Sequence, residues 1–188
     1  MNCPGQPALA GGPACEITIG DTSEFLGTPF PTREITVSPS LTLFQNFRLS
    51  ALFDHRGGHK LQNFTRSFRC QSGFQNCADA ADRTLSTFQN QANILAALMG
   101  TQGGFIEDAT YTKLREVALT ITAPKSVASR VRAGAASLTL AGRNLKTWTK
   151  YSGFDPEVNA IGAGNFNSSD FLTQPNIRYV TARLNLTF

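Results

Sequence analysis

Few side chains in this sequence have the types and spacing that metal or nucleophilic chemistry requires. His55 and His59 are four residues apart, but Gly57 and Gly58 lie between them and would break a helix that aligned the two imidazoles. Serine, aspartate and histidine residues are present, but none stands in a nucleophile-elbow sequence or a triad spacing. The sequence therefore predicts no catalytic residues, no metal site and no cofactor.

Acidic and aromatic residues occur together between Trp148 and Glu157. Asp155 and Glu157 could offer carboxylates to Ca²⁺, but that ion takes about six to eight oxygen ligands. A structural turn in which Pro156 fixes φ is therefore favoured over a calcium site. Trp148 and Tyr151 are more consistent with an interfacial aromatic girdle or with loop packing than with a carbohydrate-binding platform.

The four cysteines form two local pairs in the sequence, Cys3 with Cys15 and Cys70 with Cys77. Neither pair has the C-x2-C spacing of a zinc site. Two loops that disulfides close in an oxidising compartment are the favoured interpretation, and free thiols in a cytosolic protein are the alternative. We predict a Cys70–Cys77 disulfide, whereas the sequence leaves the pairing of Cys3 and Cys15 open.

The last eleven residues, from Arg178 to Phe188, alternate strictly between apolar and polar side chains. Because the side chains of a strand alternate between its faces, one face carries Val180, Ala182, Leu184, Leu186 and Phe188. The other face carries Tyr179, Thr181, Arg183, Asn185 and Thr187. About ten residues with one apolar and one polar face are the pattern of a transmembrane β-strand, which predicts a lipid-facing first set and lumen-facing Thr181, Arg183 and Asn185.

The composition suits such strands. Charged residues make up 16% of the chain, against about 25% in typical soluble domains, and there are 14 Phe and 16 Gly. No apolar run approaches the length of a membrane helix. The net charge of +4 is spread along the chain, without a basic cluster that would indicate nucleic-acid binding. Composition alone also permits a soluble sandwich or barrel.

Four further segments alternate in the same way, and Gln45–Asn46 is predicted to form a tight hairpin turn after the first. Pro39 lies within that first segment and predicts a bulge or irregular pairing. The segments are residues 33–44, 47–54, 111–123 and 131–142.

Two long stretches interrupt the strand pattern, residues 56–108, with a helix predicted from about Thr84 to Met99, and residues 143–176. The other connections are short. Outer-membrane barrels combine short turns at one end with long loops at the other, so this asymmetry favours a membrane barrel over a soluble one.

Lys113 and Arg115 share the sequence parity of the apolar residues Val117 and Leu119. Because cations within the hydrocarbon are costly, the two side chains are expected to lie above the bilayer, near the phosphates of outer-leaflet glycolipid. The alternative is a bulge that turns them inward.

Three segments of the chain resemble one protein family. Residues 104–117 (GFIEDATYTKLREV), 141–159 (AGRNLKTWTKYSGFDPEVN) and the ending from Gln174–Pro175 to LNLTF are similar, in order and spacing, to segments of SusC/RagA-type TonB-dependent outer-membrane receptors. The terminal Phe188 resembles the C-terminal signature of bacterial outer-membrane barrels. The resemblance is weakest before Asp21 and between Arg66 and Thr101.

The resemblance implies an all-β fold, an antiparallel transmembrane β-barrel segment with long extracellular loops. Residues 1–188 would be the C-terminal part of the barrel domain, its last five to six strands, without the plug and most of the barrel. Met1–Pro4 lacks the features of a signal peptide, so an outer-membrane location predicts a leader before this sequence.

The implied function is active uptake of a glycan or another large nutrient across the bacterial outer membrane. The implied partners are membrane lipid and glycolipid, the rest of the barrel and plug, a SusD-like surface lipoprotein and TonB, with Phe188 as the signal that the assembly machinery reads. A soluble, secreted, disulfide-containing β-rich binding domain is the alternative function.

Overall fold

The computed structural model describes residues 22–70, 84, 102–160 and 169–188. The chain divides into two compact units. We call Pro31–Gly58, Ala109–Pro156 and Gln174–Phe188 the sheet unit. The loop unit consists of the described parts of Met1–Phe30, His59–Asp108 and Glu157–Thr173.

Strands dominate the described residues. In chain order they are β1 Arg33–Val37, β2 Ser40–Leu43, β3 Phe47–Gly57, β4 Lys60–Asn63, β5 Ile106–Asp108, β6 Tyr111–Thr122, β7 Ala135–Thr149, β8 Ser169–Asp170 and β9 Tyr179–Thr187. Two short helices accompany them, α1 Phe64–Cys70 and α2 Lys125–Ala128, with 3₁₀ turns at Gly103–Phe105 and Ser129–Val131. No helix in the described part of the chain is long and apolar enough to cross a bilayer.

The sheet unit is one antiparallel sheet in the order β1-β3-β6-β7-β9, with β2 also pairing with β3. The alternating segments of the sequence are therefore strands, and the all-β, antiparallel fold class is confirmed. β7 continues to Thr149, seven residues beyond the predicted end at Gly142. The extension pairs with the start of β6 from Lys146 to Thr149.

The register joins like residues across the whole sheet, because directly opposed residues in an antiparallel pair point to the same face. One apolar row runs through Phe47, Ile121, Leu138 and Leu184. The next row runs through Leu49, Leu119, Leu140 and Ala182. The sheet therefore has one apolar face and one polar face, and the register of every strand pair preserves this division.

Pro39 interrupts the first strand without shifting it. Val37 pairs with Phe53 and Ser40 with Ser50, which is the same register on both sides of the proline. The Pro39 carbonyl accepts a hydrogen bond from the Ala51 amide at 3.0 Å, so only the donor that proline lacks is lost. The pairing is therefore interrupted between Val37 and Ser40, as the alternative of irregular pairing predicted, and the register shows no bulge there.

The turn between β2 and β3 is built differently from the prediction. Leu43 pairs with Phe47, and the residues with positive φ are Phe44 (48°) and Gln45 (62°), not Asn46. Asn46 instead accepts a hydrogen bond from the Thr122 amide on its carbonyl at 2.8 Å. Tertiary pairing with the end of β6 therefore outweighs the local preference of Asn for a left-handed conformation.

A bulge near the middle of β6 and β7 changes which residues share a face. Leu114 pairs with Lys146 but Glu116 pairs with Arg143, so Arg115 on β6 and Asn144–Leu145 on β7 are extra residues, with Asn144 at φ 52°. A Cβ on Gly142 would come within 3.0 Å of Leu145 Cδ2, so the extra leucine lies closely over that glycine. The single extra residue inverts the parity of β6 beyond the bulge, whereas the two extra residues of β7 leave its parity unchanged.

The loop unit contains regular structure where the sequence predicted none. β4 pairs with β5 antiparallel and with β8 parallel. Asn63 Oδ1 accepts the Arg66 amide at 2.9 Å and caps α1, while Asp170 Oδ1 accepts the Thr65 amide at 3.0 Å. Leu61 and Phe105 are fully buried. The predicted helix from Thr84 to Met99 lies, apart from Thr84, outside the described residues.

Candidate functional site: the two faces of the sheet unit

The apolar face of the sheet unit exposes large hydrophobic side chains on β1, β2, β3, β7 and β9, while those of β6 are half-buried. Examples are Leu41 at 55% exposure, Leu49 at 44%, Leu140 at 42% and Leu184 at 65%. Five of these apolar residues surround a shallow cavity of 310 Å³, namely Leu43, Phe44, Phe47, Leu49 and Leu119. Soluble monomers rarely expose a continuous apolar surface of this extent, which indicates a non-aqueous neighbour or a partner.

The polar face carries ion pairs between neighbouring strands. Arg115 donates to Asp54 Oδ2 from Nη2 at 2.5 Å and from Nε at 3.2 Å. Arg143 Nε donates to Glu116 Oε2 at 2.6 Å. These strand residues lie beside hydroxyl and amide side chains that continue the polar face along β7 and β9, where Asn185 Nδ2 donates to Ser137 Oγ at 3.5 Å. Such a surface suits a hydrated lumen.

Lys113 and Asp155 form the most buried ion pair of the sheet unit. Lys113 Nζ donates to both carboxylate oxygens of Asp155, at 2.7 and 2.8 Å, and the two side chains are 6% and 8% exposed. The ammonium also lies 5.2 Å from the centre of the Tyr111 ring. Pro156, next to Asp155, is fully buried. The pair therefore holds the turn after β7 against β6.

Lys113 and Arg115 therefore do not share the apolar face, and the expectation that they contact glycolipid phosphates on that face was wrong. Their height relative to the bilayer stays a prediction. Lys113 pairs with Asp54 in the register, on the same face as Leu52 and Glu116, because the bulge at Arg115 inverts the parity. Both cations bond to carboxylates on the polar face. The alternative that the sequence left open, a bulge that turns them inward, describes the structure.

The other candidate residues have simple structural roles. Asp155 is bound to Lys113, and the described residues contain no group of three side chains that could hold a metal. His55 Nδ1 lies 2.9 Å from Thr112 Oγ1 across the sheet, whereas His59 is buried in the loop unit. Tyr151 is buried at 5% exposure, so the girdle interpretation fits only Trp148, which is 48% exposed.

The predicted lipid-facing and lumen-facing residues of β9 lie in the expected register. Leu184 pairs with the apolar Leu138 and Leu186 with Ala136, while Thr181 and Arg183 pair with Ala141 and Thr139 on the other face. Phe188 follows the strand and is 86% exposed. Which solvent each face meets stays a prediction.

Sequence reasoning missed the ion pairs of Asp54, Glu116 and Arg143, because alternation alone does not identify a partner for a charged residue.

Cys70 ends α1, is buried and is disulfide-bonded. The other three cysteines lie outside the described residues, so its pairing with Cys77 stays a prediction. We expect mass spectrometry of the alkylated, non-reduced protein to show a Cys70–Cys77 cross-linked peptide that disappears in a reduced control. Closing this short loop stabilises the fold by about 2–3 kcal/mol. A link from Cys70 to Cys3 or Cys15 would exclude the predicted pairing.

Comparison with known proteins gives relatives of one kind, although no protein-family model matches the sequence. TonB-dependent receptor P3 of Formosa agariphila is 25% identical over 180 residues, covering 92% of this chain and 18% of the relative. TonB-dependent receptor P26 of the same organism is 27% identical over 184 residues, covering 89% and 18%. The chain therefore spans about a fifth of the length of these relatives.

Solved structures agree with the sequence relatives. The RagAB peptide importer in its open-open state matches with a TM-score of 0.68 and 22% identity, over 97% of this chain and 20% of that chain. Its closed-closed state matches with a TM-score of 0.65 and 23% identity, over 97% and 21%. This likeness shows the fold. The resemblance to SusC/RagA-like TonB-dependent receptors is confirmed, and the relatives are receptors and transporters, not enzymes.

Proposed function

We propose that this chain, similar over nine-tenths of its length to TonB-dependent receptors, forms part of the wall of an outer-membrane transporter barrel. Its apolar face meets lipid and its polar face meets the lumen. Residues 1–188 correspond to the C-terminal part of the barrel domain, and Phe188 serves as the assembly signal. The carrying observation is the unbroken set of apolar rows that crosses β3, β6, β7 and β9 in register.

The distribution of charge supports this orientation. Between the row of Leu138 and the row of Gly142, the apolar face contains no ionisable side chain, whereas the polar face carries Arg48 and Arg183 there and Glu116 and Arg143 immediately beyond. Arginine on the lipid face costs about 2–4 kcal/mol at the bilayer midplane, so only one of the two faces is compatible with hydrocarbon. A soluble binding domain would have to cover this apolar face by other means.

The transported substrate is proposed as a large nutrient, a glycan or a peptide. The solved relatives named above import peptides, which makes a peptide the nearest precedent and leaves a glycan as the family alternative. The proposed partners are the rest of the barrel and its plug, a SusD-like surface lipoprotein, TonB, and the lipids of the outer membrane.

The orientation of the faces is tested by site-directed spin labels along β9 in the complete receptor that contains this segment. Labels at positions 180, 182, 184 and 186 are expected to be accessible to a lipid-soluble relaxant. Labels at 181, 183 and 185 are expected to be accessible to a water-soluble one. The labels enter through a non-natural amino acid, so that the native cysteines stay in place. Uniform accessibility along the strand would refute the two-faced arrangement.

A matched pair of arginine substitutions tests the same arrangement energetically. Leu49→Arg places a cation on the apolar face near mid-sheet and is expected to cost about 2–4 kcal/mol. Ser50→Arg, one residue along β3 but on the polar face, is expected to change stability by less than about 1 kcal/mol. Leu184→Arg, closer to the end of the apolar rows, should fall between them. The measurement is the melting temperature of the folded receptor by heat-modifiable electrophoretic mobility, and equal losses for Leu49→Arg and Ser50→Arg would contradict the proposal.

A further inference from the structure

The charged residues of the apolar face are confined to one end of the sheet and are all basic. Among the paired strand residues on this face, the charged side chains are Arg33, opposite Gly57, and Lys146, opposite Leu114. Trp148 lies one row beyond Lys146, in register with Thr112 and His55. We call Arg33, His55, Lys146 and Trp148 the basic rim.

The side chains of the basic rim point onto the apolar face. A Cβ built on Gly57 would lie 3.6 Å from Arg33 Nη2 and 3.2 Å from His55 Nε2, so both groups lie above the bare backbone of Gly57. Lys146 and Trp148 are exposed, Trp148 at 48%. The rim therefore combines a guanidinium, an imidazole and an ammonium with the exposed indole of Trp148 on β7.

Some cations of the polar face bond to carboxylates, namely Lys113, Arg115 and Arg143. Others on that face, Arg48 and Arg183, form no ion pair within the described residues. No carboxylate of the described residues forms an ion pair with Arg33 or Lys146. Uncompensated cations bordering an apolar surface fit an anionic group that lies at the edge of hydrocarbon.

The distance along the sheet places the basic rim at a membrane interface. The distance is counted on β3, which carries no extra residue: Phe47 in the row of Leu138 and His55 in the row of Trp148 are eight residues or about 26 Å apart. A tilt of about 40° reduces this to about 20 Å across the membrane. The row of Leu186 lies two residues further out and brings the span to about 25 Å, which is about the height of the apolar band of a barrel. The rim stands at the end where the long connections from β3 to β6 and from β7 to β9 leave the sheet.

We propose that the basic rim binds the phosphate groups of a phosphorylated glycolipid in the leaflet next to the long connections. This inference rests on the proposed function. β1 and β7 are three strands apart and Arg33 lies four residues further along the sheet than Lys146, so their Cα atoms are separated by about 20 Å. Two long side chains at this spacing can contact two phosphate groups, on one headgroup or on two neighbouring ones. Trp148 lies at the boundary between headgroup and acyl chains.

Glycolipid that stays bound after extraction in a mild non-ionic detergent tests the proposal. The complete receptor that contains this segment is expected to retain phosphorylated glycolipid, counted by native mass spectrometry. Arg33→Gln/Lys146→Gln should lower the retained amount about tenfold, because each cation contributes to anionic-lipid binding. The control Lys125→Gln/Arg130→Gln removes two exposed cations at the opposite end of the sheet and should retain the wild-type amount. Glycolipid from cells that express a lipid A phosphatase should also be lost.

The conservative variant Arg33→Lys/Lys146→Arg should keep the glycolipid and excludes a folding defect as the cause of loss. Equal retention in the glutamine variant and the wild type would overturn the proposal, as would retention that does not depend on the phosphates. A photo-reactive amino acid at position 184 distinguishes failure of the rim proposal from failure of the lipid-facing assignment. Cross-linking of membrane lipid there, without glycolipid retention at the rim, refutes only the rim. Failure to cross-link any lipid at 184 refutes the lipid-facing assignment itself.

Discussion

Expressed by itself, the 188-residue chain is expected to yield aggregated or degraded protein and no monomeric, heat-resistant barrel. The reason lies at the two edges of the sheet, since β1 and β9 stand at opposite ends of its strand order. Each strand has a partner on one side only within the described residues. A backbone group without a partner in the bilayer core costs several kcal/mol, and about eight strands are the fewest that close a membrane barrel.

The measurement is the electrophoretic mobility of the detergent-refolded chain with and without heating, together with protease resistance. The control is the same segment joined to the remaining strands of its receptor, which should insert and shift in mobility on heating. A discrete, protease-resistant monomer formed by the chain alone would show that the sheet closes without further strands, and the proposal that it is part of a larger barrel would fail.

Removal of one partner of the Lys113–Asp155 pair is expected to destabilise the folded receptor by about 3–5 kcal/mol. In Lys113→Met the carboxylate of Asp155 stays 8% exposed without its ammonium, and in Asp155→Leu the ammonium is left in the same position. Replacing both residues together should recover most of the loss, because an apolar pair has no desolvation cost. The double-mutant cycle of melting temperatures measures this coupling.

The pair between Arg143 and Glu116 provides a matched control on the same face. Its side chains are 46% and 31% exposed, so solvent screens this pair far more than the buried one. Arg143→Gln should therefore lower the melting temperature far less than Lys113→Met. If the two single variants lose the same stability, or if Lys113→Met loses none, burial does not determine the strength of the Lys113–Asp155 pair.

Alternation predicted the sheet well where each strand is long and unbroken. The two faces of β9, the hairpin of β2 and β3 and the apolar set of β6 from Val117 to Ile121 follow directly from the period of two. The same reasoning failed at Lys113, because a bulge at Arg115 inserts one residue and arginine has no local preference that marks it. Bulges with glycine can be anticipated, whereas this one depends on pairing with β7.

The loop unit could not be predicted for a different reason. β4 and β8 are four and two residues long, too short for alternation to be distinguished from chance. Their pairing joins residues about a hundred positions apart, as does the bond from the Thr65 amide to Asp170. Contacts of such sequence separation depend on how intervening segments fold, and a single sequence carries no local record of them.

The bulge at Arg115 and Asn144–Leu145 also determines how the chain tolerates insertions and deletions. Within a strand, loss of a single residue acts on side-chain orientation as a frameshift acts on a reading frame, exchanging the two solvents for everything beyond it. In β6 one frame holds from the short connections to the bulge and a second from the bulge to the long connections. Deleting Arg115 would remove the extra residue and leave Lys113 and Tyr111 on the polar face, whereas deleting a residue between Val117 and Ile121 would exchange the faces on one side of the deletion. Length changes in the long connections leave both frames intact.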